Sequence, residues 1–136
     1  MAAAEGMVLL KNDDDVLPLS KGTKIALFGK GTIDYIKGGG GSGDVTTAYI
    51  HNIADGMAVK ESEGKVEVFA DTVDFYKDYV AEQRKLGFMA GMIKEPVVPE
   101  ELLAKAKAFA DTAIISISRY SGEGGDEHTG EDSVGS

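Results

Sequence analysis

Short apolar runs alternate along the chain with longer segments whose apolar residues recur every three or four positions. Three runs have the length and boundaries of strands: Lys24-Ile25-Ala26-Leu27-Phe28, closed by Gly29; Lys65-Val66-Glu67-Val68-Phe69; and Thr112 to Ser118. In the third, Thr112-Ala113-Ile114-Ile115-Ser116-Ile117 reads as a buried strand. Helical spacing fills the intervals. Ala2 to Asn12 is rich in helix formers around Met7, Val8 and Leu10. Thr46 to Met57 predicts a short helix through Tyr49, Ile50, Ile53 and Ala54. Asp71 or Thr72 would cap a helix running to about Leu86, with Val73, Tyr76 and Val80 on one face. Pro99-Glu100-Glu101 is a helix start, proline first and acids in the first turn, with Leu102, Leu103, Ala106, Phe109 and Ala110 on its apolar side. Gly87 to Val98 reads as irregular. Gly29 to Gly43, with seven glycines, reads as loop.

Strand, helix, strand, helix, strand implies an α/β fold: a mainly parallel sheet with right-handed crossovers, layered between helices as a three-layer sandwich. Three short strands make a thin sheet for that architecture, because parallel strands are normally buried on both sides. The expectation is an incomplete domain over 1–126, followed by a flexible acidic tail over 127–136. Gly122 to Ser136 carries five acidic residues, no lysine or arginine and almost nothing apolar.

Composition narrows the function. The 136 residues carry a net charge of −9, which disfavours nucleic acid as a partner. There is no cysteine, so thiolate metal sites and disulfides are excluded. The two histidines, His51 and His128, lie in different segments without metal-ligand spacing, so no metal and no cofactor are expected. No apolar run reaches the roughly 18 residues of a membrane span, and the N-terminus lacks a basic signal-peptide region; a cytoplasmic location is the expectation.

The candidate chemistry sits after the third strand, in Ser118-Arg119-Tyr120-Ser121-Gly122-Glu123-Gly124-Gly125-Asp126. A carboxylate between glycines just past a strand's carboxyl end stands where α/β sheets bind ligands. Glu123 is there a candidate proton donor, or an ordinary solvated loop acid. Gly29-Lys30-Gly31-Thr32-Ile33-Asp34 begins like a dinucleotide fingerprint, but Asp34 replaces its third glycine and no helix follows directly. Gly38 to Asp44 is either a surface linker or a loop whose backbone and Ser42 hydroxyl approach a ligand. On residues alone three readings stand: an enzyme segment, a non-catalytic module binding carbohydrate or protein, and a nucleotide-binding half-domain.

Four blocks in order resemble the start of the α/β-sandwich domain of glycoside hydrolase family 3, the β-glucosidase-like enzymes. They are Ala3 to Asn12, Val16-Leu17-Pro18-Leu19, Lys24 to Gly29, and Gly40-Gly41-Ser42-Gly43. Arg119-Tyr120-Ser121-Gly122-Glu123-Gly124 is similar to that family's acid/base loop. The resemblance implies a retaining glycosidase of two domains, acting on a β-linked glucoside or oligosaccharide. A (β/α)8-type barrel would carry an aspartate nucleophile, and the sandwich would lend the acid/base. By resemblance Glu123 is that general acid/base, Ser42 with Gly41 and Gly43 contacts a sugar hydroxyl, and Arg119 and Asp126 order the loop. Many members have arginine after the aspartate, where Glu127 stands here. Retaining hydrolysis needs two carboxylates about 5–5.5 Å apart, and no partner for Glu123 is evident in the sequence. The isolated chain is therefore expected to be inactive without the barrel, and to associate through an exposed sheet edge.

Overall fold

The computed structural model describes residues 5–38 and 45–120. Three strands form one parallel sheet in the order β2-β1-β3: β1 (Thr23–Phe28), β2 (Val66–Val68) and β3 (Thr112–Ile115). In the register, Ile25 stands opposite Val68 on one side and Thr112 on the other, while Leu27 stands opposite Ile114. The chain thus steps from β1 to β2, then crosses back over β1 to β3. Helices α1 (Ile53–Ser62), α2 (Ala70–Lys85) and α3 (Glu100–Phe109) fill the crossovers.

Side chains alternate across the sheet, which sorts the layers. Ile25 and Leu27 pack with Ala54 of α1 and Val66, flanked by Met57, Val68 and Ile114. The opposite face meets α2 and α3: the Lys24 ammonium lies 5.3 Å from the Phe109 ring, which in turn contacts Phe69. Tyr76, Val80 and Ala106 are buried on these two helices. The central strand is covered on both sides, and Ile25, Ala26 and Leu27 are at most 1% exposed.

Several expectations need correction. Residues 7–12 form no helix; Met7, Val8, Leu9 and Leu10 are exposed, and the Asn12 amide instead holds a turn through hydrogen bonds with the Leu17 carbonyl (2.8 Å) and N–H (2.9 Å). A helix-forming composition is insufficient where no apolar face is packed. The helix expected over Thr46 to Met57 starts at Ile53, leaving Tyr49 and Ile50 exposed before it. Its start is set by a reciprocal capping box: Asn52 Oδ1 accepts the Asp55 N–H at 2.9 Å, and the Asp55 carboxylate accepts the Asn52 N–H at 3.1 Å. Thr72 is not a cap; it is buried in the first turn of α2 and donates its hydroxyl to Phe69 O. The third strand ends at Ile115 and is not buried throughout: Ile115 is 69% and Ile117 79% exposed, because neither helix layer extends over the outer side of β3.

The outer edge of β2 is partly closed by a side chain, Glu61 of α1 accepting the Val68 N–H at 2.8 Å. Among the described residues every buried side-chain polar atom has a hydrogen-bond partner, and no helix is long and apolar enough to cross a membrane. Asn52→Ala is expected to cost about 1 kcal/mol, read as a lower urea midpoint at unchanged m, since it removes the cap and the Asn52 Nδ2 bond to Ile33 O.

Candidate functional site

The site is built where β1 and β3 end side by side. Phe28 O accepts the Ser116 N–H at 2.8 Å, so the pairing continues one residue past β3. Beyond it Ser116 and Ser118 lie against the turn after β1. Gly29 has φ of 91°, which favours glycine, and a Cβ there would overlap the Ser116 carbonyl. A Cβ on buried Gly31 would come within 2.7 Å of Ser116 Oγ and 3.0 Å of the Ser118 Cβ. These glycines therefore let two backbones touch. They do not open a helix toward a phosphate: Lys30–Thr32 is a single 3-10 turn. Asp34, the residue that broke the fingerprint, is paired with Arg84 of α2 at 2.9 Å.

Around this turn lies a polar cluster, buried at Lys30 and Tyr76 and exposed at Glu95, that no sequence motif singles out. Lys30 is 8% exposed. Its backbone N–H donates to both Glu95 carboxylate oxygens, at 3.1 and 3.0 Å, and its ammonium donates to Ile93 O. Burial pushes the Lys30 ammonium below its ordinary range, with Glu95 and Asp34 opposing. Tyr76, 2% exposed, has its hydroxyl held up from the usual phenol range, chiefly by burial; a backbone hydrogen bond with Gly29 opposes, and the charge and side-chain hydrogen bond of Glu95 add to the rise. Tyr79 donates its hydroxyl to Lys94 O at 3.0 Å. The segment expected to be merely irregular is thus tied to both β1 and α2. A lysine directly after a strand-closing glycine was the one local sign of it.

Of the residues put forward from the sequence, Arg119 lies exposed on the segment leaving β3. Glu123, Asp126, Ser42, Gly41 and Gly43 lie outside the described residues, as do the acidic tail and its boundary at 126. His51 is exposed and its ring lies 5.1 Å from that of Tyr49. No group of metal-ligating side chains occurs among the described residues. A groove of about 210 Å³ between α1, α2 and β2, with Ala54, Glu61, Val73 and Lys77 in its wall, lies on the β2 side and is separate from the β3 segment.

The model of the glycosyl hydrolase family 3 C-terminal domain matches residues 7–133. The chain belongs to that family. The match takes in both the glycine loop before Asp44 and the Arg119–Gly124 block. Beta-glucosidase A of Butyrivibrio fibrisolvens is 60% identical over 125 residues, covering 92% of this chain and 15% of the relative. The beta-glucosidase of Ruminococcus albus is 39% identical over 127 residues, covering 88% and 13%. Among solved family 3 relatives, beta-glucosidase 3B from Thermotoga neapolitana, in complex with alpha-D-glucose, superposes at a TM-score of 0.76 with 37% identity, covering 96% of this chain and 18% of that one. A beta-glucosidase from Paenibacillus barengoltzii gives 0.80 with 34% identity, covering 96% and 14%. The chain thus spans 13–18% of the length of these four relatives. Its three-stranded parallel sheet is family 3 C-terminal-domain structure, and the nucleotide-binding reading falls away.

Proposed function

We propose that this segment is part of a retaining β-glucosidase and supplies its general acid/base, Glu123, to a sugar held by a (β/α)8-type barrel. The observation that supports the reading is the docking of Ser116 and Ser118 against Gly29 and Gly31, with Tyr120 against Gly91: the segment that leads toward Glu123 leaves from the carboxyl ends of β1 and β3. The names of the relatives supply the substrate class, β-linked glucosides.

In the first step an aspartate of the barrel attacks the anomeric carbon. The glycosidic C–O bond breaks as the Glu123 carboxyl gives its proton to the leaving oxygen. In the second, the Glu123 carboxylate takes a proton from water as its oxygen displaces the aspartate, returning the acid form and releasing the sugar with retained configuration. Arg119 and Asp126 order the loop in this scheme, and Ser42, Gly41 and Gly43 meet a sugar hydroxyl.

The test is Glu123→Ala in the full-length enzyme with an activated aryl β-glucoside. Azide, a nucleophile that needs no base, should restore turnover and yield the β-glucosyl azide. An unchanged rate without azide would remove Glu123 from the mechanism. This chain alone, lacking the barrel's carboxylate, should show no turnover on the same substrate.

A further inference from the structure

We propose that Gly91, held in place by Lys30 and Glu95, is the seat that positions the Glu123 loop, making these three positioning residues for the acid/base. The inference rests on the reading of Glu123 given above. Tyr120 stands three residues before Glu123. A fully extended chain gains at most about 3.6 Å per residue, so the two Cα atoms are within about 11 Å whatever path the backbone takes. Where Tyr120 is held therefore bounds where Glu123 can be.

Tyr120 is held by close packing on a glycine. A Cβ on Gly91 would overlap the Tyr120 ring, coming within 2.7 Å of Cδ1 and 2.8 Å of Cδ2. Gly91 lies in a single 3-10 turn, Ala90–Met92, closed by the Met92 N–H to Met89 O at 2.9 Å. Directly after it come the attachments already described. Ile93 is 2% exposed and its carbonyl accepts the Lys30 ammonium; Lys94 O accepts the Tyr79 hydroxyl; the Glu95 carboxylate accepts the Lys30 N–H. Lys30 also stands between Gly29 and Gly31, the two glycines that meet Ser116 and Ser118. One residue thus ties the support under the start of the post-β3 segment to the support under Tyr120. A fold-only role would need the anchors but not the close fit of a ring on a bare Cα three residues from the acid.

The test uses the full-length enzyme with Gly91→Ala, Glu95→Gln and Lys30→Met, assayed on an alkyl β-glucoside and on an activated aryl β-glucoside. Misplacing a catalytic group by about 1 Å costs on the order of 10²-fold. Gly91→Ala should therefore lower kcat about 10²-fold on the alkyl substrate, far less on the aryl one, with KM little changed. Glu95→Gln and Lys30→Met should show the same leaving-group dependence in milder form. Because the clash needs the ring, Gly91→Ala added to Tyr120→Ala should cause no further loss. Equal losses on both substrates, or losses matching the fraction of unfolded enzyme, would overturn the inference. Glu123→Gln in the same assay separates the two layers. If it shows the leaving-group dependence and Gly91→Ala does not, the seat alone is refuted; if Glu123→Gln shows none, the acid/base reading falls and the seat with it.

Discussion

With Glu123 in its proposed role, Glu123→Gln in the full-length enzyme should lower kcat/KM on an alkyl β-glucoside by about 10²–10⁴-fold, the range that a general acid contributes. The loss follows from bond order. An alkoxide is a poor leaving group and must be protonated as the C–O bond stretches, and glutamine has no acidic proton to give. On a dinitrophenyl β-glucoside the leaving group departs unassisted, so the first step should survive. Water must then attack the glycosyl-enzyme without a base, so kcat should fall while KM falls with it, because the covalent intermediate accumulates. The alkaline limb of the kcat/KM profile on the alkyl substrate should disappear, since it reports the acid that has been removed. Steady-state and burst kinetics on the two substrates measure all of this, and a uniform loss on both would contradict it.

Gly29→Ala carries the largest expected cost in stability. The backbone there, at φ 91° and ψ 136°, is a region that L side chains rarely adopt, worth about 1–3 kcal/mol by itself. The new methyl would also meet the Ser116 carbonyl, forcing apart the bond between the Ser116 N–H and Phe28 O that joins β3 to β1. Together these should exceed about 3 kcal/mol, a large share of a small domain's stability. Gly64→Ala is the control. Gly64 also has positive φ, 66°, but a Cβ there meets nothing within 4 Å, so only about 1 kcal/mol is expected. Urea denaturation of both variants reads the difference, and equal losses would show that the contact with Ser116 adds nothing.

The sheet was legible because each strand is a short apolar or alternating run between helical segments, and the α/β order follows from that alternation. Helix positions were legible only where a start signal was weighed. Pro99-Glu100-Glu101 marked α3 well, with Pro99 as the residue before the first turn. The Asn52 and Asp55 capping box was overlooked in favour of Tyr49 and Ile50, whose apolar surface turned out to face solvent. Periodicity also cannot say what covers a face, so Ile115 and Ile117 read as buried. The link between Lys30 and Glu95 spans 65 positions, and no local pattern could have announced it. The candidate site rests on the family blocks. Of its named residues only Arg119 falls among those described, while the packing of Ser116, Ser118 and Tyr120 on glycines is visible only in three dimensions.

The carboxylate that Glu61 places on the Val68 N–H makes the two edges of the sheet unequal. β2 is three residues long, and its last outward amide already has a partner inside the chain. An incoming strand finds one amide fewer there to pair with. On the other side, no such plug on β3 occurs among the described residues, and Ile115 and Ile117 are exposed there. A strand added beside β3 would run alongside the segment leading to Glu123.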